Sequence, residues 1–126
     1  AATKESYSGP VFIQGDHFQV NAAKFKENPE KEMEGLRALI ADAVSSGFYN
    51  IDIDSSTLVD VSKPNLGEQQ LLNYQVCARL TQLIRHIEPK GITISVGGEI
   101  GEIGHGAVLT MPAAARRPPA ADDGRC

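Results

Sequence analysis

The apolar positions of this chain change their spacing several times, and each change marks a predicted secondary-structure element. Residues 11–15 form a short apolar run between a Gly-Pro pair and polar residues, which predicts a buried strand. A segment with apolar residues at three- and four-residue steps follows, which predicts an amphipathic helix. Its apolar face consists of Met33, Leu36, Leu39, Ile40, Ala43 and Val44. Asn28 is a typical N-cap, Pro29 suits the first helical position, and Gly47 ends the helix.

The second half of the chain repeats this order. Residues 48–54 alternate between apolar and polar side chains, as in a strand with two different faces. One face carries Tyr49, Ile51 and Ile53, and the other carries Asn50, Asp52 and Asp54. After a turn-rich segment, a second long helix has the apolar stripe Leu72, Val76, Leu80, Leu83, Ile84 and Ile87. Pro89 and Gly91 close this helix, and a third strand over residues 92–96 opens into the glycine-rich stretch 97–104.

The predicted order is therefore strand, helix, strand, helix, strand. This alternation is typical of parallel βαβ units, so we predict an α/β fold with about three parallel strands and intervening helices. In such sheets the ligand-binding edge is the one where the strands end. Polar residues or glycines follow each of the three predicted strands within a few positions. We therefore expect a functional site at this edge of the sheet.

Composition places the chain among single globular domains. It has 126 residues, 41% of them hydrophobic and 22% charged. A net charge of -4 and a pI near 5.3 argue against a nucleic-acid-binding protein, which usually has a basic face. No apolar run approaches the roughly 20 residues that span a membrane, and residues 1–10 lack a signal peptide's apolar core. We predict a cytoplasmic protein with reduced thiols at its two cysteines, Cys77 and Cys126.

Acidic and imidazole side chains occur at all three predicted strand ends. Asp16 and His17 follow the first strand, Asp54 ends the second, and Glu99 comes just after the third. Equivalent ends of neighbouring parallel strands lie about 5 Å apart, so these groups can converge on one point. Histidine, aspartate and glutamate are suitable ligands for zinc or another divalent metal. The sequence thus predicts a metal site at this edge.

Each candidate also has a structural explanation. Asp16 can cap the turn after the strand, and His17 can be a partly exposed loop residue. Asp54, before two serines and a threonine, is often an Asx-turn residue. Asp52 is either an inward-facing barrel residue or a salt-bridge partner. Glu99 between glycines is harder to explain structurally, because such glycines indicate a tight turn or backbone close to a ligand.

Three motifs in this order resemble the class II, metal-dependent fructose-bisphosphate aldolases. They are "FIQGDH" at 12–17, "GFYNIDIDSS" at 47–56 and "VGGEIG" at 96–101. In that family an apolar strand ends in Asp-His, a later strand carries Ile-Asp-x-Ser after Gly-Phe, and a third ends in Glu-x-Glu-(Leu/Ile)-Gly. The resemblance covers about residues 9–104. It implies part of a (β/α)8 TIM barrel over residues 1–104.

The resemblance also implies roles for the candidate residues. His17 would be a ligand of the catalytic zinc, and Asp16 would donate or accept the proton of the aldehyde oxygen. Asp54 and Glu99 would hold a second or alternative metal position beside His17. The implied reaction, in carbohydrate metabolism, is reversible cleavage of fructose 1,6-bisphosphate into dihydroxyacetone phosphate and glyceraldehyde 3-phosphate. The implied partners are sugar bisphosphates or triose phosphates, and we expect the parent protein to be a homo-oligomer.

Two positions depart from the family pattern, and later elements of the family are not found. Gln14 stands where the family often has His, and Gly97 stands where it often has the first Glu of the Glu-x-Glu pair. The family also uses two further zinc-binding histidines and phosphate-binding loops from later strands. A complete barrel takes about 250 residues, so we expect a fragment truncated at both ends and inactive in isolation. The alternative is a non-catalytic barrel subunit or binding protein related to tagatose-bisphosphate aldolase.

The final segment, residues 105–126, is rich in Ala, Pro and Arg and has no helical or strand period. We predict that it is disordered, or that it results from a shifted reading frame in a GC-rich gene. His105 opens this segment and has little weight as a ligand. His86 lies beside Arg85 and Glu88 on the second long helix, where a solvated face is the simplest interpretation.

Overall fold

The computed structural model describes residues 2–101, which form a three-stranded parallel sheet with helices. The strands are β1 (Gln14–Gln19), β2 (Asn50–Asp54) and β3 (Ser95–Gly98). The helices are α1 (Ala22–Glu27), α2 (Pro29–Ser45), α3 (Leu66–Gln69) and α4 (Leu71–Ile87). Short 3-10 turns span Ala2–Glu5 and Ser56–Leu58. The predicted α/β fold with three parallel strands is confirmed, whereas the predicted tail 105–126 lies outside the described residues.

The strand order is β1-β2-β3, with β2 in the centre and parallel to both neighbours. Helices α1 and α2 connect β1 to β2, and α3 and α4 connect β2 to β3. Because all three strands run in the same direction, their carboxyl ends share one edge of the sheet. The first residues beyond this edge are Val20 after β1, Ser55 after β2 and Glu99 after β3.

Helix α2 begins and ends as the sequence predicts. The side chain of Asn28 accepts a hydrogen bond from the backbone N–H of Lys31, at 3.1 Å, and Pro29 is the first helical residue. The helix ends at Ser45, and Gly47 has a φ of +88°, a conformation that glycine adopts at little cost. Its buried residues are Met33, Leu36, Ile40 and Val44. Leu39, which the pattern assigned to the same face, is exposed.

The buried face of α4 differs by one residue from the predicted stripe. Its buried residues are Asn73, Val76, Leu80 and Ile84. Leu72 is 44% exposed, so the stripe begins with a polar residue, Asn73, in place of a leucine. Asn73 lies seven residues before Leu80, close to two helical turns, so it is nearer the centre of the buried face than Leu72 is. The start of α4 therefore places an amide group inside the fold.

The core lies between α2, α4 and one face of the sheet. Strand residues on this face include Phe18, Ile51 and Ile53, all buried. The other buried hydrophobic members are Val20, Met33, Leu36, Ile40, Val44, Leu58, Val76, Leu80, Ile84 and Ile94. Ile51 and Ile53 thus share one face of β2, as the alternation predicts, and this face is the buried one. Within residues 2–101, no helix has the length and apolar character needed to cross a membrane.

The first and third strands begin later than their apolar runs. Residues 11–13, predicted to be a buried strand, precede β1 and are 45–82% exposed. The pairing of β1 with β2 starts at Gln14 opposite Asn50, so residues 11–13 have no strand partner in the described part of the chain. The third strand starts at Ser95 rather than residue 92, although Ile94 just before it is fully buried.

The entry to β3 is held by two side chains at the end of α4. Arg85 Nη1 donates to Glu88 Oε2 at 2.9 Å and to the backbone oxygen of Ile94 at 2.7 Å. Glu88 Oε2 also accepts from the N–H of Ile94 at 2.9 Å, and these hydrogen bonds lower the pKa of Glu88. The predicted solvated face at this point therefore has a structural role, because Arg85 and Glu88 fix the chain before β3.

Candidate metal centre

A β-bulge in β1 places Asp16 and His17 on the face of the sheet opposite the core. The pairs on either side of the bulge are Gly15 with Ile51 and Phe18 with Ile53. Two residues of β1, Asp16 and His17, thus lie against Asp52 alone in β2. Their side chains are 67% and 58% exposed. The sequence predicted that both residues follow the strand, whereas in the structure they lie within it.

The bulge depends on an unusual backbone conformation at His17. Its φ is +53°, in the left-handed region that non-glycine residues seldom adopt. Gly15 precedes the bulge, and a Cβ at that position would collide with the ring of Phe18. Phe18 itself returns to the core face, where it is buried. The packing of Phe18 across Gly15 therefore holds the strand on both sides of His17, and strained residues of this kind are concentrated at functional sites.

His17, Asp52 and Glu99 form a group that can hold a metal ion. One ligand atom from each residue lies within 4.8 Å of the others. Each residue comes from a different strand region, since His17 is in β1, Asp52 is in β2 and Glu99 directly follows β3. Asp52 pairs with Gly97 in β3, and a Cβ on Gly97 would collide with Asp52 Oδ1. Glycine at position 97 thus leaves space for the Asp52 carboxylate.

The geometry of this group fits a divalent cation. Zinc lies about 2.0–2.2 Å from nitrogen and oxygen ligands, so tetrahedral ligand atoms lie about 3.4 Å apart. The three side chains are exposed or half-buried, which leaves them free to move from separations of up to 4.8 Å to that distance. One imidazole and two carboxylates suit zinc and harder divalent ions. Three protein ligands also leave one tetrahedral position for water or substrate, as in catalytic zinc sites.

Asp54 lies behind His17 and is held by several donors. Its side chain is buried and accepts hydrogen bonds from Gln19 Nε2 at 2.5 Å and from Ser56 Oγ at 2.6 Å. The backbone N–H of Ser56 also donates to Asp54 at 3.2 Å, which is the Asx-turn contact considered from the sequence. Burial alone would raise the pKa of Asp54, but these hydrogen bonds lower it below its usual value. Asp54 Oδ2 lies 3.6 Å from His17 Nδ1.

Carboxylates lie near both ring nitrogens of His17. Asp54 is near Nδ1, and Asp16 Oδ1 is 3.8 Å from Nε2. The interaction with Asp54 is the main cause that raises the pKa of His17, followed by the negative charge of Asp16, and Glu99 adds to it. At a given pH, His17 is therefore protonated more often than an isolated imidazole. A metal ion that binds its imidazole nitrogen must compete with the proton.

The predicted site residues thus occupy one region in different environments. The Asp16 side chain is 67% exposed, so its carboxylate is accessible from solvent. Asp54 has its acceptors engaged by Ser56 and Gln19, and Asp52 completes the three-residue group with His17 and Glu99. The sequence feature that could have indicated Asp52 as a ligand is its place on the polar face of the alternating strand.

Sequence reasoning also missed the polar residues that support the site from the core side. Asn73 donates from Nδ2 to the backbone oxygen of Glu99 at 2.7 Å, and Ser55 Oγ donates to Asn73 Oδ1 at 2.6 Å. The available signal was a single asparagine three residues before Val76, on the apolar side of a helix. A buried amide on such a face requires partners, which here are the two loops at the strand ends.

Comparisons of the chain with protein-family models, curated proteins and solved structures found no match. The function of this chain is therefore inferred from the group His17, Asp52 and Glu99 and from the order of the three motifs.

Proposed function

We propose that this chain carries part of the metal site of a class II aldolase, with His17, Asp52 and Glu99 as the ligands of a divalent cation such as zinc. The observation that supports this most directly is the approach of their ligand atoms to within 4.8 Å. His17 and Asp52 lie within β1 and β2, and Glu99 directly follows β3, at the carboxyl end of the strands, where (β/α)8 barrel enzymes place their active sites. The aldolase-like motifs occur in the same order along the chain.

The arrangement of layers is consistent with a consecutive part of a (β/α)8 barrel. The apolar face of the sheet packs against α2 and α4, and the opposite face carries Asp16, His17 and Asp52. In such barrels the helices lie outside, and side chains of the opposite strand face point to the interior. This packing supports the proposal that the polar face of residues 14–98 belongs to a barrel interior.

The side chains have distinct roles in this proposal. When bound, a divalent cation supplies Lewis-acid polarisation of a ketone carbonyl. Asp54 orients the imidazole of His17 through Nδ1, as carboxylates often do for metal-binding histidines. Asp16 accepts the hydroxyl proton of the ketose bisphosphate during cleavage and returns it to the aldehyde oxygen during condensation. Its exposure allows a substrate to reach the carboxylate.

Titration of the full chain with Zn²⁺ by isothermal calorimetry tests the metal centre. We expect one site per chain, with affinity reduced at least tenfold by His17→Gln, Asp52→Asn or Glu99→Gln. Matched controls are His86→Gln and Asp42→Asn, because both residues are exposed and outside the group. Asp54→Asn tests the alternative ligand position inferred from the motifs. Affinity that is the same in His17→Gln and wild type would contradict the proposal.

The catalytic part of the proposal has a separate readout. Residues 2–101 offer two histidines, His17 and the exposed helical His86, where the family uses three zinc-binding imidazoles. We therefore expect Zn²⁺ binding without measurable cleavage of fructose 1,6-bisphosphate by the chain alone. Rapid cleavage that a chelator abolishes would contradict this expectation.

A non-catalytic barrel subunit is the second candidate, and Gly97 is the residue that favours it. Gly97 stands where the aldolase motif often has the first Glu of its Glu-x-Glu pair. The nucleotide sequence beyond codon 104, read in all three frames, distinguishes the two, because the enzyme requires two later histidine ligands.

A further inference from the structure

We propose that Asn73 is a positioning residue that holds the Glu99 carboxylate in the metal centre. This inference rests on the proposed metal site and adds a residue that does not touch the ion. Asn73 lies on the core face of α4 and is 6% exposed. Its hydrogen bond to the metal group goes to the backbone oxygen of Glu99 and not to the carboxylate.

All hydrogen-bonding groups of the Asn73 amide have partners. Nδ2 donates to the Glu99 backbone oxygen at 2.7 Å and to Gln70 Oε1 at 2.9 Å. Oδ1 accepts from Ser55 Oγ, which also lies 2.9 Å from the backbone oxygen of Asn73. A flipped amide would place its oxygen against the backbone oxygen of Glu99, where both atoms are acceptors. The network therefore fixes one orientation of the side chain.

This one side chain joins the ends of two strands. Ser55, which is fully buried, is the first residue after β2, and Glu99 is the first residue after β3. Asn73 thus sets the position of the Glu99 backbone relative to β2. Asp52 lies on β2, so the same contact also sets the distance between the two carboxylates of the metal group.

The loop that carries Glu99 depends on such a contact because of its composition. Gly97 and Gly98 precede Glu99, and Gly101 follows with a φ of +71°. Glycines allow many backbone conformations, so the sequence alone does little to restrict the direction of the Glu99 side chain. The side chain is exposed, and the hydrogen bond from Asn73 holds its backbone. Residues that orient metal ligands in this way commonly change affinity by 10–100-fold when replaced.

Asn73→Leu separates positioning from folding. Leucine is similar in shape and suits the core face of α4, and the Ser55 hydroxyl can still donate to the backbone oxygen of residue 73. The variant removes the donor to Glu99. We expect Co²⁺ affinity of the full chain to fall about tenfold, with a changed visible absorption spectrum of the bound Co²⁺, because a carboxylate oxygen leaves the coordination shell.

The matched control is Thr81→Val, a change of similar size on the same helix, which removes a hydrogen bond to the backbone oxygen of Cys77 and leaves the bond from Asn73 to Glu99 intact. We expect its Co²⁺ affinity to stay within about twofold of wild type with the wild-type spectrum. Repeating Asn73→Leu in a Glu99→Gln background completes the test. If Asn73 acts through Glu99, the additional loss of affinity disappears in that background.

The outcomes separate this inference from the proposed function. Wild-type affinity and spectrum in Asn73→Leu would overturn the positioning role alone, as would an equal loss in the Glu99→Gln background. Absence of Co²⁺ binding by the wild-type chain would overturn the metal centre and this inference with it. If circular dichroism shows that Asn73→Leu does not fold, Asn73→Ala replaces it in the same cycle and is judged by the same criteria.

Discussion

The two faces of the three-stranded sheet differ in their side chains and in their burial. On the helix-covered face, Ile51 and Ile53 are almost fully buried against α2 and α4. On the open face, the bulge and the neighbouring strands present His17, Asp52 and Asp16. Burial of one aliphatic side chain stabilises a fold by about 1.5–3 kcal/mol, whereas exposed ion pairs contribute about 0–1 kcal/mol. Stability therefore resides mainly on the first face, and the candidate chemistry on the second.

A substitution on the helix-covered face should have the largest effect on stability and little effect on the site. Leu80 in α4 is fully buried, and Leu80→Ala is expected to lower the free energy of unfolding by about 2–5 kcal/mol because it leaves a cavity. Urea denaturation measures this loss. Leu72→Ala is the control, since Leu72 is exposed on the same helix, and we expect a change below about 0.5 kcal/mol.

The same pair of variants tests the separation of the two faces. At a temperature where Leu80→Ala remains folded, its Zn²⁺ affinity should stay within about twofold of the wild-type value. A tenfold loss of affinity in Leu80→Ala would show that core packing and ligand geometry are coupled, contrary to the comparison.

Two glycine substitutions should have opposite effects, since one lowers metal affinity at the open face and the other stabilises helix α2 at its exposed surface. In Gly97→Ala the new methyl group would collide with Asp52 Oδ1, so the carboxylate must rotate away, and we expect Zn²⁺ affinity to fall about tenfold. Gly35 lies within α2 with open space around it, and Gly35→Ala should raise the free energy of unfolding by about 0.5–1 kcal/mol. Calorimetric titration and urea denaturation of both variants provide the two measurements. Unchanged Zn²⁺ affinity in Gly97→Ala would show that Asp52 is not a ligand.

The helix-covered face could be predicted from the sequence because it follows simple periods. The cap at Asn28, the end of α2 at Gly47 and the alternation of Ile51 with Asp52 are local patterns, and the structure confirms them. Local patterns failed where tertiary pairing decides the outcome. The exposed run 11–13 is apolar but has no strand partner in the described residues.

The open face could be predicted only in part for the same reason. The motifs predicted that His17 and Glu99 lie at one edge of the sheet. They did not predict the bulge at His17, because it arises from the pairing register between β1 and β2. That register, together with the space left by Gly97, brings Asp52 into the group. The role of Asn73 depends on contacts with two loops that are distant in sequence from each other. Such contacts have no periodic signature.

The smallest predicted effect concerns the protonation of His17, which links the open face to the buried carboxylate behind it. Because Asp54 and Asp16 raise the pKa of His17, its protonated form favours the folded state. This contribution is fully present below the unfolded-state pKa of about 6.5 and is lost as the pH rises through the higher folded-state value. Asp54→Asn removes the main cause, so the pKa of His17 should fall towards its ordinary value.

Proton NMR titration of the imidazole signals of chelator-treated protein measures this change. The His17→Gln spectrum identifies the His17 signal, and Asp60→Asn is the control, because Asp60 has Ser62 and Lys63 as its partners. An unchanged His17 pKa in Asp54→Asn would mean that the 3.6 Å approach of Asp54 to Nδ1 has no electrostatic effect. In that case Asp54 would serve its hydrogen bonds with Ser56 and Gln19, and the buried carboxylate would belong to the stable part of the molecule rather than to its candidate site.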